Sequence, residues 1–161
     1  MTQSSRGPIR YSERLALPWW AWPLPLVAAA ILAAEIHMGY SGIRGWLPYA
    51  VLVPLTTAVL LSLGRTRIRV AGEADEAELW VGDAHLPLRF VGRVEVIDRK
   101  DKRKAMGPGL DPAAYLMHRG WIGQLVRVHL TDDRDPTPYW LFSTRRPERV
   151  AELLRTPSST R

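Results

Sequence analysis

The sequence predicts an α+β membrane protein, with an N-terminal transmembrane helical hairpin and a cytoplasmic small β-barrel or sandwich closed by a C-terminal helix. Three observations predict it. Residues 15–34 and 46–63 are apolar runs with no charged side chain, 20 and 18 residues long. A helix of ~20 residues spans the ~30 Å hydrocarbon core of a bilayer. Beyond them, short segments alternate apolar and polar side chains with the period of a strand, and the chain closes on a segment with the period of a helix. The expected organisation is a cytoplasmic N-terminal segment at 1–14, a two-helix transmembrane hairpin at 15–64 and a β domain at 65–161.

The first span carries Trp19, Trp20 and Trp22 at one end, and the second carries Trp46 and Tyr49 at the end near the connector. Amphipathic rings favour the headgroup level, so both groups read as interface belts. Pro18, Pro23 and Pro25 interrupt the start of the first span, so its regular helix is expected to begin near Pro25. Pro48 suits a first turn, and Pro54 is expected to kink the second span. Arg6, Arg10 and Arg14 precede the first span, Arg65, Arg67 and Arg69 follow the second, and the connector at 39–45 holds only Arg44. Basic residues in short flanks stay on the cytoplasmic side, which places both termini inside the cell membrane. A cleaved signal peptide is the competing reading of the first run. Against it stand the length of the run and the second span that follows at once.

Glu35 and His37 are the ionisable groups of the hairpin. An ionisable residue in a span is a functional suspect. Glu35 lies about one turn from the connector, where it can reach water or pair with Arg44 or His37. A proton relay needs further such groups deeper in the span, and two helices are too few to enclose a pathway. The Ala-rich first span offers close approach to a partner helix or to a second copy.

In the tail, strands are expected at 66–71, 78–81, 86–90, 93–97, 125–130 and 139–142, the last fully apolar and so central. An acidic turn fills 72–76. Asp132 to Pro136 reads as the turn of a hairpin. A short helix is expected at 111–118, and a terminal amphipathic helix at 147–155 opens on a first-turn proline. Residues 156–161 read as frayed. Many short strands followed by one helix is the element order of pleckstrin-homology-like domains.

Composition bounds the chemistry. The 161 residues carry net charge +6 and no cysteine, which excludes disulfides, thiol nucleophiles and Cys-ligated metals. Of 22 basic and 16 acidic groups, the first 64 residues hold four and two, leaving 18 and 14 to the tail, a solvated mixed-charge surface. The densest basic stretch is Arg99, Lys100, Lys102, Arg103 and Lys104, with Asp101 among them, followed by a flexible 105–109 loop. Beside an anionic leaflet each such base contributes ~1 kcal/mol, so the stretch is the candidate lipid or partner contact; the alternative is a solvated hairpin tip. Tyr115, Arg119 and Trp121, in a strip rich in large side chains, form a candidate groove, with core packing as the plainer reading. His85, His118 and His129 lack metal-ligand spacing. Asp132, Asp133 and Asp135 lack the further ligands of a calcium loop. Ser143-Thr144-Arg145-Arg146 precedes a helix and could hold an anion at its N-terminus, with a simple helix cap by Thr144 or Ser143 as the plainer reading. No phosphate loop, catalytic triad or nucleic-acid motif is present, so catalytic residues, metal and cofactors are all expected to be none, and nucleic acid is not an expected partner.

Several segments together carry a resemblance: Tyr11-Ser12-Glu13-Arg14-Leu15, Asp111-Pro112-Ala113-Ala114-Tyr115-Leu116, Arg119-Gly120-Trp121-Ile122, and Asp135-Pro136-Thr137-Pro138-Tyr139-Trp140-Leu141 with Ser143-Thr144-Arg145. On these the chain resembles domain-of-unknown-function family 3093, actinobacterial two-span membrane proteins without an assigned activity. The resemblance implies topology and lineage, and it transfers no catalytic position. The expected function is therefore a membrane-anchored interaction or scaffold module that presents its β domain at the inner leaflet. Its partners would be the bilayer, including anionic headgroups, and a membrane protein or a second copy of itself. The alternatives are an accessory subunit of a larger membrane complex, or an enzyme on a membrane-borne substrate using the region of Arg119 and Trp121.

Overall fold

The two apolar runs form helices α1 (Pro23–Gly39) and α2 (Leu47–Leu63) in a computed structural model that describes residues 8–40, 42–72, 76–132 and 134–155. Arg6, the centre of the acidic turn, Asp133 and residues 156–161 lie outside the described residues. Trp19–Ala21 is a separate 3₁₀ turn, and Pro23 and Pro25 occupy the first turn of α1, where a missing N–H costs nothing. The helix runs on to Gly39, so Glu35 and His37 sit in its last turns. Pro54 lies inside α2, and the Thr57 hydroxyl donates to the Val53 carbonyl at 2.8 Å. Both helices are long and apolar enough to cross a membrane, and only 11% and 6% of their apolar windows are buried. Ala29, Ala33 and Leu60 are the buried apolar side chains of the pair.

This hairpin, Ala16–Thr66, is one compact unit. The other joins Met1–Leu15 to Arg67–Arg161. Residues 8–15 are therefore not a free segment ahead of the first apolar helix. Strand β1 (Ile9–Arg14) pairs antiparallel with β2 (Arg67–Ala71), with Arg14 opposite Arg67 and Glu13 opposite Ile68. Strands β3 (Glu78–Val81) and β4 (Ala84–Pro87) extend the sheet in the order β1-β2-β3-β4. Gly82, with φ at 66°, begins the two-residue connection of the β3–β4 hairpin, where a side chain would be strained. The strand expected at 86–90 ends at Pro87. The Leu88 N–H turns back to the Ala77 carbonyl at 2.8 Å and starts a 3₁₀ turn.

The second sheet holds β5 (Val91–Ile97), β6 (Tyr115–Met117), β7 (Leu125–Leu130) and β8 (Tyr139–Ser143) in the order β5-β7-β8-β6. Strands β7 and β8 form the expected hairpin. Asp132 and Asp135 each accept a backbone N–H two residues on, from Arg134 and Thr137, and hydrogen bonding by Thr137 holds the Asp135 carboxyl below its ordinary value. The helix expected at 111–118 is replaced by a turn and a strand. Asp111 accepts the Ala113 N–H, and Tyr115–Met117 then pairs parallel with β8. The end of the basic run forms a short helix, α3 (Lys102–Met106), which takes the first two residues of the expected 105–109 loop and leaves 107–109 as a turn, and the chain closes with α4 (Pro147–Arg155).

Among the described residues there is no closed barrel. Two separate four-stranded sheets share one core, built from Leu15, Ile68, Val70, Leu79 and Val81 of the first side and Val94, Val126, Val128, Trp140 and Phe142 of the second. Helix α4 adds Val150, Ala151 and Leu154 to it. Ala105 of α3 belongs to a smaller cluster with Ile97, Leu125, Tyr139 and Leu141. The alternation of β7 explains this division: Val126 and Val128 face one cluster, and Leu125 faces the other.

Candidate functional site

The Tyr139–Ser143 strand is buried along its whole length and gathers the segments that flank it. The Tyr139 hydroxyl accepts the Asp111 N–H at 2.7 Å and donates to the Gly109 carbonyl at 3.2 Å. The Tyr115 ring lies 4.6 Å from that of Trp140, and the Ser143 hydroxyl accepts the Arg119 N–H at 3.0 Å. Thr144, fully buried, donates to Glu13 Oε2 at 2.5 Å, and the Arg145 N–H donates to Glu13 Oε1 at 2.9 Å. Tyr11 donates to the same Glu13 Oε2 at 2.8 Å. One carboxylate on β1 thus fixes the corner between β8 and α4. Thr144 also accepts the Arg146 N–H at 3.2 Å, two residues on, so in place of the expected helix cap it closes a turn ahead of α4.

This corner is one wall of a cleft of about 570 Å³, lined by Asp98, Arg99, Lys100, Trp121, Ile122, Gly123, Gln124, Thr144 and Arg145. Arg99 and Lys100 come from the turn after β5, the 121–124 loop forms the opposite side, and Arg145 comes from the β8–α4 corner. Three cations and the Asp98 carboxylate thus line it together with the Trp121 indole ring. The Arg99 side chain lies across Gly123, where an added Cβ would meet its Nε at 3.3 Å. The Thr144 N–H donates to the Gln124 carbonyl, closing the cleft from behind.

The five bases of the expected contact surface separate here. Arg99 and Lys100 line the cleft, and Arg103 and Lys104 are exposed on α3. Lys102 turns inward and donates to the Ile122 carbonyl, and burial together with Arg99 pulls its amine below the ordinary lysine value. It ties α3 to the 121–124 loop and is not available to a headgroup. Helix phase explains it: Lys102, Ala105 and Met106 stand at i, i+3 and i+4 on the covered side.

Tyr115, Arg119 and Trp121 do not form one groove. Tyr115 donates to the Val81 carbonyl at 3.2 Å, bridging the two sheets, and burial raises its phenol. The Arg119 guanidinium sits 5.8 Å from the Trp121 ring centre. Of the three, only Trp121 lines the cleft. The adjacent His118 is held below the ordinary histidine value by burial, Lys102 and Arg119, which keeps it neutral. In the hairpin unit, Glu35 is exposed, and His37 packs edge-on against Trp46 and Tyr49 at 5.3 and 6.0 Å. Among the described residues neither the Glu35–Arg44 nor the Glu35–His37 pair forms, and no group of three or more His, Asp or Glu could hold a metal. Sequence reading missed Glu13 as a positioning residue, and it weighed Arg145 only within an anion-holding helix start, without the cleft. The available signal was that both fall in the segments that carried the family resemblance.

Burial and the Glu13 carboxylate push the Tyr11 phenol up to about 12 from 10.0. The unfolded chain therefore loses this proton first, and the stability associated with it is complete below pH 10.0 and is lost as pH rises toward 12. In detergent-solubilised protein, Tyr11→Phe is expected to flatten the fall of melting temperature across that window. Superimposable profiles would exclude the linkage.

The family described as Protein of unknown function (DUF3093) matches residues 10–154, and the chain belongs to it. No curated protein and no solved structure matches.

Proposed function

We propose that this member of the family is a membrane-anchored interaction module, its hairpin crossing the bilayer and its two-sheet domain presenting the basic cleft at the inner leaflet. The observation that carries the reading is the pairing of β1 with β2 across the intervening hairpin, whose apolar faces are left open. The core helix of a soluble protein is covered by its own chain, whereas Leu24, Val27, Ile31, Leu55 and Val59 here are exposed. Cleavage as a leader within the Ala-rich run would strip β1 and the buried Leu15 from the domain core, which speaks against a signal peptide. Strands on either side of the hairpin that share one sheet require both flanks on one side of the bilayer. The excess of flanking arginines favours the cytoplasmic side.

Two packed sheets and a C-terminal helix keep the analogy to pleckstrin-homology-like domains, with open sheets in place of a barrel. The accessory-subunit reading is weakened at its expected docking face, because Ala29 and Ala33 are already buried. Single-sided reporters test the proposal. One fused after Arg161 is expected to be active only inside, and one inserted at the exposed Ile43 only outside. An active external reporter at the C-terminus, or release of the chain by alkaline carbonate washing, would overturn it.

A further inference from the structure

We propose that the cleft binds a phosphomonoester, its oxygens held by Arg99, Lys100 and Arg145 with the ligand's carbon skeleton against Trp121 and Ile122. Charge sets the class. Three cations and one carboxylate line the cleft, and the Glu13 carboxylate stands behind the Thr144–Arg145 corner, so the site keeps a net positive charge. A phosphomonoester carries about −1.5 to −2 at pH 7 and presents three terminal oxygens to the three cations, whereas a diester carries one negative charge and presents two. The two guanidiniums supply planar forks suited to phosphate oxygens, and Lys100 adds a point charge. The cleft, at about 570 Å³, has room for a carbon skeleton beside the phosphate.

Parts of the cleft are also fixed before any ligand arrives. Arg99 rests across Gly123, the Lys102 amine locks the 121–124 loop to α3, and Glu13 holds the Arg145 backbone. Such ordering reduces the entropy lost on binding. The phosphate has two sources, a lipid headgroup of the phosphatidic acid type or a soluble phosphate ester. The lipid source rests on the membrane-anchored reading, and the cleft–phosphate contact does not.

The test is calorimetric titration of the full chain in a neutral detergent with glycerol 3-phosphate, short-chain phosphatidic acid and short-chain phosphatidylglycerol. Both monoesters are expected to bind, with phosphatidylglycerol about tenfold weaker. Arg99→Gln and Arg145→Gln are each expected to weaken the monoesters about tenfold, and Lys104→Gln, outside the cleft, is expected to change nothing. Arg99 is exposed, so its variant tests binding without disturbing the core. Tighter binding of phosphatidic acid than of glycerol 3-phosphate assigns the headgroup source, and equal binding assigns the soluble one. Absence of binding by either monoester, equal binding of phosphatidylglycerol, or indifference to both arginine variants would overturn the proposal. The glycerol 3-phosphate arm is independent of membrane topology, so failure of the cleft and failure of the anchoring reading give different results.

Discussion

Replacing residues 16–65 by a two-residue Asn-Gly turn is expected to give a soluble, cooperatively folding, mainly β protein, whereas residues 65–161 alone are expected not to fold. Arg14 stands opposite Arg67 in an antiparallel pair, so the gap left by the hairpin is the width of a tight turn. Asn-Gly supplies the positive φ values that such a turn requires. The shorter fragment lacks β1 altogether. It leaves one edge of β2 without its partner strand and removes Leu15, which is 0% exposed, from a core that both sheets share. Truncating a buried leucine costs ~2–5 kcal/mol, and domains of this size are stable by only ~5–15 kcal/mol. The loss of Tyr11 packing and of the Glu13 carboxylate adds to that. Circular dichroism, amide exchange and thermal melting of the two chains would decide it. A melt of 65–161 as cooperative and as late as that of the joined chain would contradict the role given to β1.

Glu13→Ala is expected to lower the melting temperature by on the order of 10 °C. The substitution leaves the buried Thr144 hydroxyl and the Arg145 N–H without their acceptor. An unsatisfied buried group costs ~1–3 kcal/mol, and each kcal/mol shifts a domain of ~100 residues by ~4–8 °C. Glu13→Gln keeps an acceptor oxygen and should fall between the two. The sharper readout is a double-mutant cycle with Thr144→Val, in which the hydroxyl donor is gone before Glu13 is removed. The two substitutions are expected to be less than additive, with coupling of ~0.5–3 kcal/mol. Strict additivity would mean that Glu13 and Thr144 do not act on each other.

The hairpin and most of the domain were legible because each segment declares its own period. Arg67–Ala71, Leu125–Leu130 and Tyr139–Ser143 form strands where alternation or a short apolar run placed them, and Pro147–Arg155 forms the amphipathic helix. Strand β1 was not legible. Its residues Ile9–Arg14 are mostly polar, precede an apolar run and include two arginines, so they read as a membrane flank, and their partner strand lies beyond two helices. Strand β6 was missed for a related reason: three residues define no period, and its parallel pairing with β8 is a tertiary fact. The cleft divided in the same way. Arg99 and Lys100 were visible as charge, but Trp121 and Arg145 join them only through the fold. Lys102 has the composition of its neighbours, and only helix phase separates it from them.

The β1–β2 pair also sets an order of events during synthesis. Strand β1 leaves the ribosome first, yet its partner exists only after both apolar helices have been made. In a chain whose helices cross a bilayer, insertion of only one of them would strand β1 and β2 in different compartments. The first sheet would then stay one strand short, with Leu15 missing from the core and the Thr144 corner lacking its carboxylate. On the membrane-anchored reading, closure of that sheet doubles as a check on insertion. A misinserted chain exposes an unpaired strand edge and an open core, the features that aggregate or invite proteolysis, while a correctly threaded one conceals both.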